Sequence, residues 1–241
     1  MESGYILHET EQVAVIATLE SENVKTGNMI QVWILNRAES PVASVKSGND
    51  RLICGDCPHR GLNGFKDRTC YVNVARGPNA VWRAYRKGSY RFLPKSEYAA
   101  VFTNRAVRFG AYGDPVLIPL SIMRAIASLA DGHTGYTHQW RKSEYQAYRA
   151  FLMASCDSIA DYATARRLGW RTFRVRGASE SILAREISCP ASDEAGKRTQ
   201  CLRCRLCSGT RAGDPRKDIT IIVHGIGARN FVSLTAIRTA A

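Results

Sequence analysis

Stretches rich in β-branched and apolar residues alternate along the chain with amphipathic stretches, a pattern that predicts strands and helices in turn. Strands are expected over Val13–Leu19, Met29–Leu35, Ala106–Tyr112, Gly135–Gln139, Phe151–Ser155, Arg171–Val175, Glu186–Ser188 and Ile219–Val223. Pro78 to Lys87 reads as a helix that opens on proline, sets Val81, Trp82 and Tyr85 on one face and stops at Gly88. Leu120 to Ala130 places Ile122, Met123, Ile126 and Leu129 on one helical stripe. Asp157 or Ser158 caps a third helix running to Leu168, with Gly169 just beyond it.

The order of these elements implies an α/β fold with largely parallel strands, read as a single (βα) barrel-like domain over residues 1–241, complete or incomplete. Asp114, His138, Cys156 with Asp157, Cys189 and His224 fall at or just past strand ends. In a barrel those loops share one face, so these residues would converge there. No Gly-x-Gly-x-x-Gly follows an early strand, which argues against an open dinucleotide-binding sheet. No internal repeat or low-complexity linker divides the chain.

Composition narrows the class. With 45% hydrophobic and 23% charged residues, the chain is neither disordered nor collagen-like. No apolar run reaches the roughly 18 residues of a membrane span. Met1-Glu2-Ser3-Gly4 offers neither the basic nor the apolar region of a secretory signal, so the expected compartment is the cytoplasm. In that reducing setting the eight cysteines are expected to bind metal rather than form disulfides.

The net charge of +13 is uneven. Residues 1–50 form an acidic N-terminal segment with net −4, whereas Arg60–Arg108 carries +9 and Arg166–Lys217 carries +8. Both basic stretches contain cysteine clusters, so the arginines either neutralise anionic thiolate centres or present a surface for phosphates. Tyr71, Trp82, Tyr85, Tyr90, Tyr136 and Trp140 interleave with arginines, as stacking platforms for bases do, although Trp82 and Tyr85 at helical spacing fit a core equally well.

The first cysteine group reads Cys54-Gly55-Asp56-Cys57-Pro58-His59, with Cys70 following, a Cys-x2-Cys-x12-Cys spacing. With His59 it makes a Cys3His zinc site; as three cysteines it holds an iron–sulfur cluster with one iron open. The second group, a cysteine-rich metal-binding insertion over residues 189–207, is Cys189 with Cys201, Cys204 and Cys207. Arg203 and Arg205 between those sulfurs mark a solvated loop, and either zinc or an iron–sulfur cluster fits the spacing. His224 is a further candidate ligand or a strand-end histidine bonded to backbone, and Cys156 reads as a small buried apolar residue.

Among other polar residues, Asp114 after a glycine-bearing strand, His138 between Thr137 and Gln139, and Asp157 are the candidate catalytic groups. Gly110 and Gly113, with Gly225 and Gly227 in the last strand–loop turn, are the candidate cofactor-binding positions.

Cys54-Gly-Asp-Cys57-Pro, Cys70-Tyr-Val-Asn, Pro78 with Trp82-Arg-Ala-Tyr85, Gly113-Asp114-Pro115, Gly135-Tyr-Thr-His138-Gln-Trp140 and Cys189-Pro-Ala-Ser together resemble a family of phage and prophage proteins with a Cys-Pro…Cys-Tyr signature. That likeness covers roughly residues 24–225, implies the host cytoplasm, and implies no particular activity. More distantly, the early cysteines ending in Cys-Tyr are similar to those of radical S-adenosylmethionine barrel enzymes, whose usual spacing is Cys-x3-Cys-x2-Cys. This second resemblance implies a [4Fe–4S] cluster on Cys54, Cys57 and Cys70 and S-adenosylmethionine as cofactor; the positive charge together with the phage resemblance points to a nucleic acid or nucleotide as substrate. A third, to tRNA-guanine transglycosylase barrels, rests on the order of Cys201, Cys204, Cys207 and His224 and implies a zinc-binding nucleic-acid protein, base-modifying or non-catalytic.

Overall fold

The structure, a computed structural model, describes residues 2–231 and is an α/β fold. Strands β1 (Gly4–Glu9), β2 (Val13–Thr18), β3 (Ile30–Asn36), β4 (Arg91–Phe92), β5 (Ala106–Tyr112) and β6 (Gly132–Thr134) make a mixed sheet in the order β4-β1-β2-β3-β5-β6. Strands β7 (Tyr136–Thr137), β8 (Met153–Cys156), β9 (Thr172–Arg176), β10 (Glu186–Ser188) and β11 (Asp218–Ile222) make a wholly parallel sheet in the order β10-β11-β9-β8-β7. Gly135 joins the two. Its N–H donates to the Cys207 carbonyl (2.9 Å) and its carbonyl accepts from the Met153 N–H (3.0 Å), so residues 132–137 border both sheets.

Two expectations need correction. Among the described residues no strand pair joins β4 to β10, and no closed barrel is found. The parallel character is also incomplete, because β1, β2 and β3 form an antiparallel meander. The residues responsible lie in the acidic N-terminal segment, which is part of the core: Ala14, Val15, Ile16 and Ala17 are fully buried.

The helices are α1 (Pro41–Ser47), α2 (Arg51–Cys54), α3 (Gly77–Arg86), α4 (Tyr98–Phe102), α5 (Leu120–Leu129), α6 (Ile159–Arg167) and α7 (Cys201–Cys204). Ser40 Oγ caps α1 by accepting from the Ala43 N–H, and Pro41 pre-sets its first turn. Helix α5 buries Ile122, Met123 and Ile126, the stripe its spacing predicts. On α3, Val81 faces the core, Trp82 Nε1 donates to the Asn36 carbonyl (2.9 Å), and the Tyr85 hydroxyl meets Arg37 and Glu9. Those two aromatics therefore serve packing and not base stacking.

Much of the positive charge between residues 166 and 217 is engaged internally. Fully buried Arg174 is held by both carboxylate oxygens of Glu186 (2.8 and 2.7 Å) and by Glu180. Arg176 bonds Glu194, Arg216 bonds Asp214, and Arg205 pairs with Asp131 at 2.8 Å. No helix among the described residues is long and apolar enough to cross a membrane.

His133 on β6 packs near the rings of Phe109 and Phe151, and burial lowers its pKa to about 4. The unfolded chain takes up this proton near pH 6.5 whereas the native chain waits until about 4, so acidification through that window destabilises the fold. The melting temperature of His133→Gln is expected to fall less than that of the native sequence between pH 7 and pH 5. Equal falls in a pH-resolved thermal melt would contradict this.

Candidate functional site

The concave side of the parallel strands and the loops at their carboxyl ends enclose a cavity of about 360 Å3. That is a usual position for ligand sites in α/β folds. Trp33 of β3, Arg108 and Gly110 of β5, Phe173 and Val175 of β9 and Ile221 of β11 line it, together with Asp114, His138 and His224 beyond strand ends.

Cys54, Cys57 and Cys70 also line this cavity. Cys54 ends α2, which is tied to the strand ends by Asp114 N–H to the Ile53 carbonyl (2.7 Å) and Gln139 Nε2 to the Cys54 carbonyl (3.2 Å). The Cys57 N–H turns back to the Cys54 carbonyl (3.2 Å). Cys70 returns because the Thr69 and Cys70 N–H groups both donate to the His59 carbonyl, at 3.1 and 3.0 Å. Burial raises the Cys54 thiol pKa strongly, and Cys57 and Cys70 raise it further. Burial also raises that of Cys70, which Arg68 partly offsets. Behind this wall Asp50 holds Arg60 (2.8 Å) and Arg68 (3.4 Å), while Arg68 Nη2 is buried without a hydrogen-bond partner.

The donor atoms drawn together within 4.8 Å of one another among the described residues are those of His59, His138 and Asp157. His59 Nδ1 lies 2.7 Å from Thr69 Oγ1 and its Nε2 lies 2.7 Å from Asp157 Oδ1; His138 Nε2 is 3.5 Å from Asp157 Oδ2. Burial works against charge on His138, but Cys57 and Asp157 outweigh it and raise its pKa well above the ordinary value. Burial likewise opposes ionisation of Asp157, and the two histidines win, holding its carboxyl well below the usual range. Two imidazoles and one carboxylate can pass a proton or hold a divalent metal.

Asp157 reaches the histidines because Ser158, not Asp157, caps α6, its Oγ accepting from the Asp161 N–H at 3.0 Å. Asp114 is fixed by accepting from the Val116 N–H (3.2 Å) and the His138 N–H (3.0 Å), with burial raising its pKa. Gly110 and Gly113 line the cavity; a Cβ on Gly113, at φ 78°, would stand 2.7 Å from Ile34 Cβ. Gly225 and Gly227 lie in the loop after β11. They pack against residues 68–71, where a Cβ on Gly227 would stand 2.3 Å from the Arg68 carbonyl oxygen, and neither lines the cavity.

The second cysteine group converges outside the cavity lining. Burial, followed by Cys189, Cys201 and Cys204, raises the Cys207 pKa strongly, and burial is the main cause that raises those of Cys201 and Cys204. The insertion is docked by backbone bonds from Cys201 to Lys25 (3.0 Å) and from Leu202 to Thr26 (2.9 Å). His224 bonds the Ile222 carbonyl through Nδ1 (3.1 Å) and stacks on Tyr71, apart from that group. His59 bonds Thr69 and Asp157. Cys156, the last residue of β8, is fully buried.

Sequence reasoning passed over Arg108 and Lys25, both of which line the cavity. The signal available for Arg108 was a charged residue midway along an apolar strand, Ala106–Tyr112. No family model, no curated protein and no solved structure matches this chain.

Proposed function

We propose that the protein is a metal-dependent enzyme, similar to radical S-adenosylmethionine enzymes, in which Cys54, Cys57 and Cys70 hold a [4Fe–4S] cluster and the substrate is a nucleotide or nucleic acid. The carrying observation is that Cys54 and Cys57 of one turn and Cys70 of a later loop all line a cavity of about 360 Å3, leaving space beside them for a small ligand. The donor chemistry fits: three ligands leave one iron open, and the thiols of Cys54 and Cys70, whose pKa values burial and the neighbouring Cys57 raise, need a nearby cation to ionise. When bound, the cluster supplies the electron that cleaves a carbon–sulfur bond of S-adenosylmethionine.

The chain's own residues do the rest. Arg68 beside Cys54 and Cys70 offsets anionic charge on that wall. Asp114, immobilised by two backbone N–H groups, offers a fixed acceptor to a ligand hydroxyl or amine. His138, kept protonated by Cys57 and Asp157, holds a proton at the cavity wall. On this reading the parallel strands are an incomplete (βα) barrel, and the cysteine group outside the cavity is a structural metal site. A second reading, a mononuclear metal or zinc protein acting on nucleic acid, is favoured by the close donor spacing of His59, His138 and Asp157.

Purification without oxygen tests the choice. The expected result is brown protein with about four iron and four sulfide per first-site cluster, releasing methionine from S-adenosylmethionine when reduced. Colourless protein holding zinc or a single iron, with no cleavage, would replace this reading with the second.

A further inference from the structure

The cavity contains a buried cation that pairs with no carboxylate among the described residues. Arg108 is only 8% exposed, and its Nη2 donates to the hydroxyls of Tyr71 (2.6 Å) and Tyr136 (2.9 Å). None of the ion pairs among the described residues includes Arg108, and the groups that act on it most are two phenols and the Cys201 thiol. A guanidinium removed from water without a carboxylate is costly unless something else brings the negative charge. Lys25 lines the same cavity and also belongs to no ion pair among the described residues. The nearby carboxylate of Asp193 is exposed and engaged by Lys197 at 2.5 Å. His224 stacks on Tyr71, and Tyr136 stacks on Phe173 with ring centroids 4.5 Å apart, which gives the subsite an apolar flank.

We propose that Arg108, Lys25 and the Tyr71 and Tyr136 hydroxyls form a subsite for the phosphate of a nucleotide monoester, with the base against the Tyr136–Phe173 flank. Two cations and two O–H donors suit a phosphate dianion, whereas a carboxylate would match only one of the charges. The inference deepens the nucleotide reading above and rests on that cavity being the substrate site.

Isothermal titration of the full chain with the four 5′-nucleoside monophosphates, the matching nucleosides and inorganic phosphate tests it. At least one monophosphate is expected to bind about tenfold or more tighter than its nucleoside, with inorganic phosphate competing. Arg108→Gln should remove that preference while keeping nucleoside affinity, and Arg108→Lys should restore part of it. Lys25→Gln, at a partly exposed position whose folding is not at issue, should reduce the preference severalfold. Equal affinity for nucleotide and nucleoside, no nucleotide binding by the folded native chain, or an unchanged preference in both Gln variants would overturn the subsite. Iron content and methionine release from the same preparation separate the two ideas. Protein without cluster that still prefers monophosphates supports the subsite and sinks the radical reading; active protein without that preference does the reverse.

Discussion

Cys70→Ala is expected to leave a folded protein that has lost its first-site iron and, with it, cleavage of S-adenosylmethionine, by about a thousandfold or more, since the protein itself supplies no substitute for the cofactor's chemistry. The fold should survive because Cys70 is held by its backbone N–H on the His59 carbonyl, a bond that alanine keeps. Removing one sulfur should cost roughly 1 kcal/mol, within the ordinary range for a single substitution. Cys156→Ala is the control: that thiol is fully buried, lines no cavity, and has its pKa raised chiefly by burial, so its loss should cost about as much stability while leaving iron unchanged. Iron, sulfide and methionine release per chain are the measurements. Unchanged iron and turnover in Cys70→Ala would end the cluster reading.

Arg171→Met is expected to give the largest stability loss. The guanidinium is 1% exposed and donates to three carbonyls, those of Leu206 (2.7 Å), Ser208 (2.8 Å) and Lys217 (2.5 Å). Methionine fills the volume but leaves those carbonyls without a donor, which should cost roughly 3 to 5 kcal/mol. For a chain of this size that corresponds to a fall of roughly 6 to 20 °C in melting temperature. Two of the carbonyls flank Cys207, so metal bound at the second cysteine group should fall as well. Calorimetry with metal analysis checks both. A loss below about 1 kcal/mol would mean that the cysteines, not Arg171, hold that loop.

The elements were readable because their signals are local. Strand β5 and strand β10 occupy the ranges their apolar runs predicted, and α3, α5 and α6 lie within a residue or two of theirs. Of the expected Gly135–Gln139 strand only Tyr136–Thr137 is strand, and β6 just before it was not expected, because each is set by distant partners, at residues 153–154 and 106–108. Strand β1 was missed: Gly4–Glu9 alternates weakly, and what makes it a strand is its pairing with β2. The basic stretch beyond Arg166 suggested a phosphate surface because net charge counts arginines without their partners. Glu186, Glu194 and Asp214 claim several of them inside the fold.

By itself the sequence determined the α/β alternation, a helix start at Asp157 or Ser158, and two cysteine groups whose spacing suits chelation, all of which follow from residues a few positions apart. Tertiary structure alone decided that His59 and Asp157, 98 positions apart, share a hydrogen bond, and that Gly227 packs on Arg68. It also decided that Arg108 stands buried in a cavity and, among the described residues, forms no ion pair. Local periodicity fixes which face of an element is apolar; which distant side chain meets that face depends on how the sheets are ordered, and a single sequence carries no local signal for that.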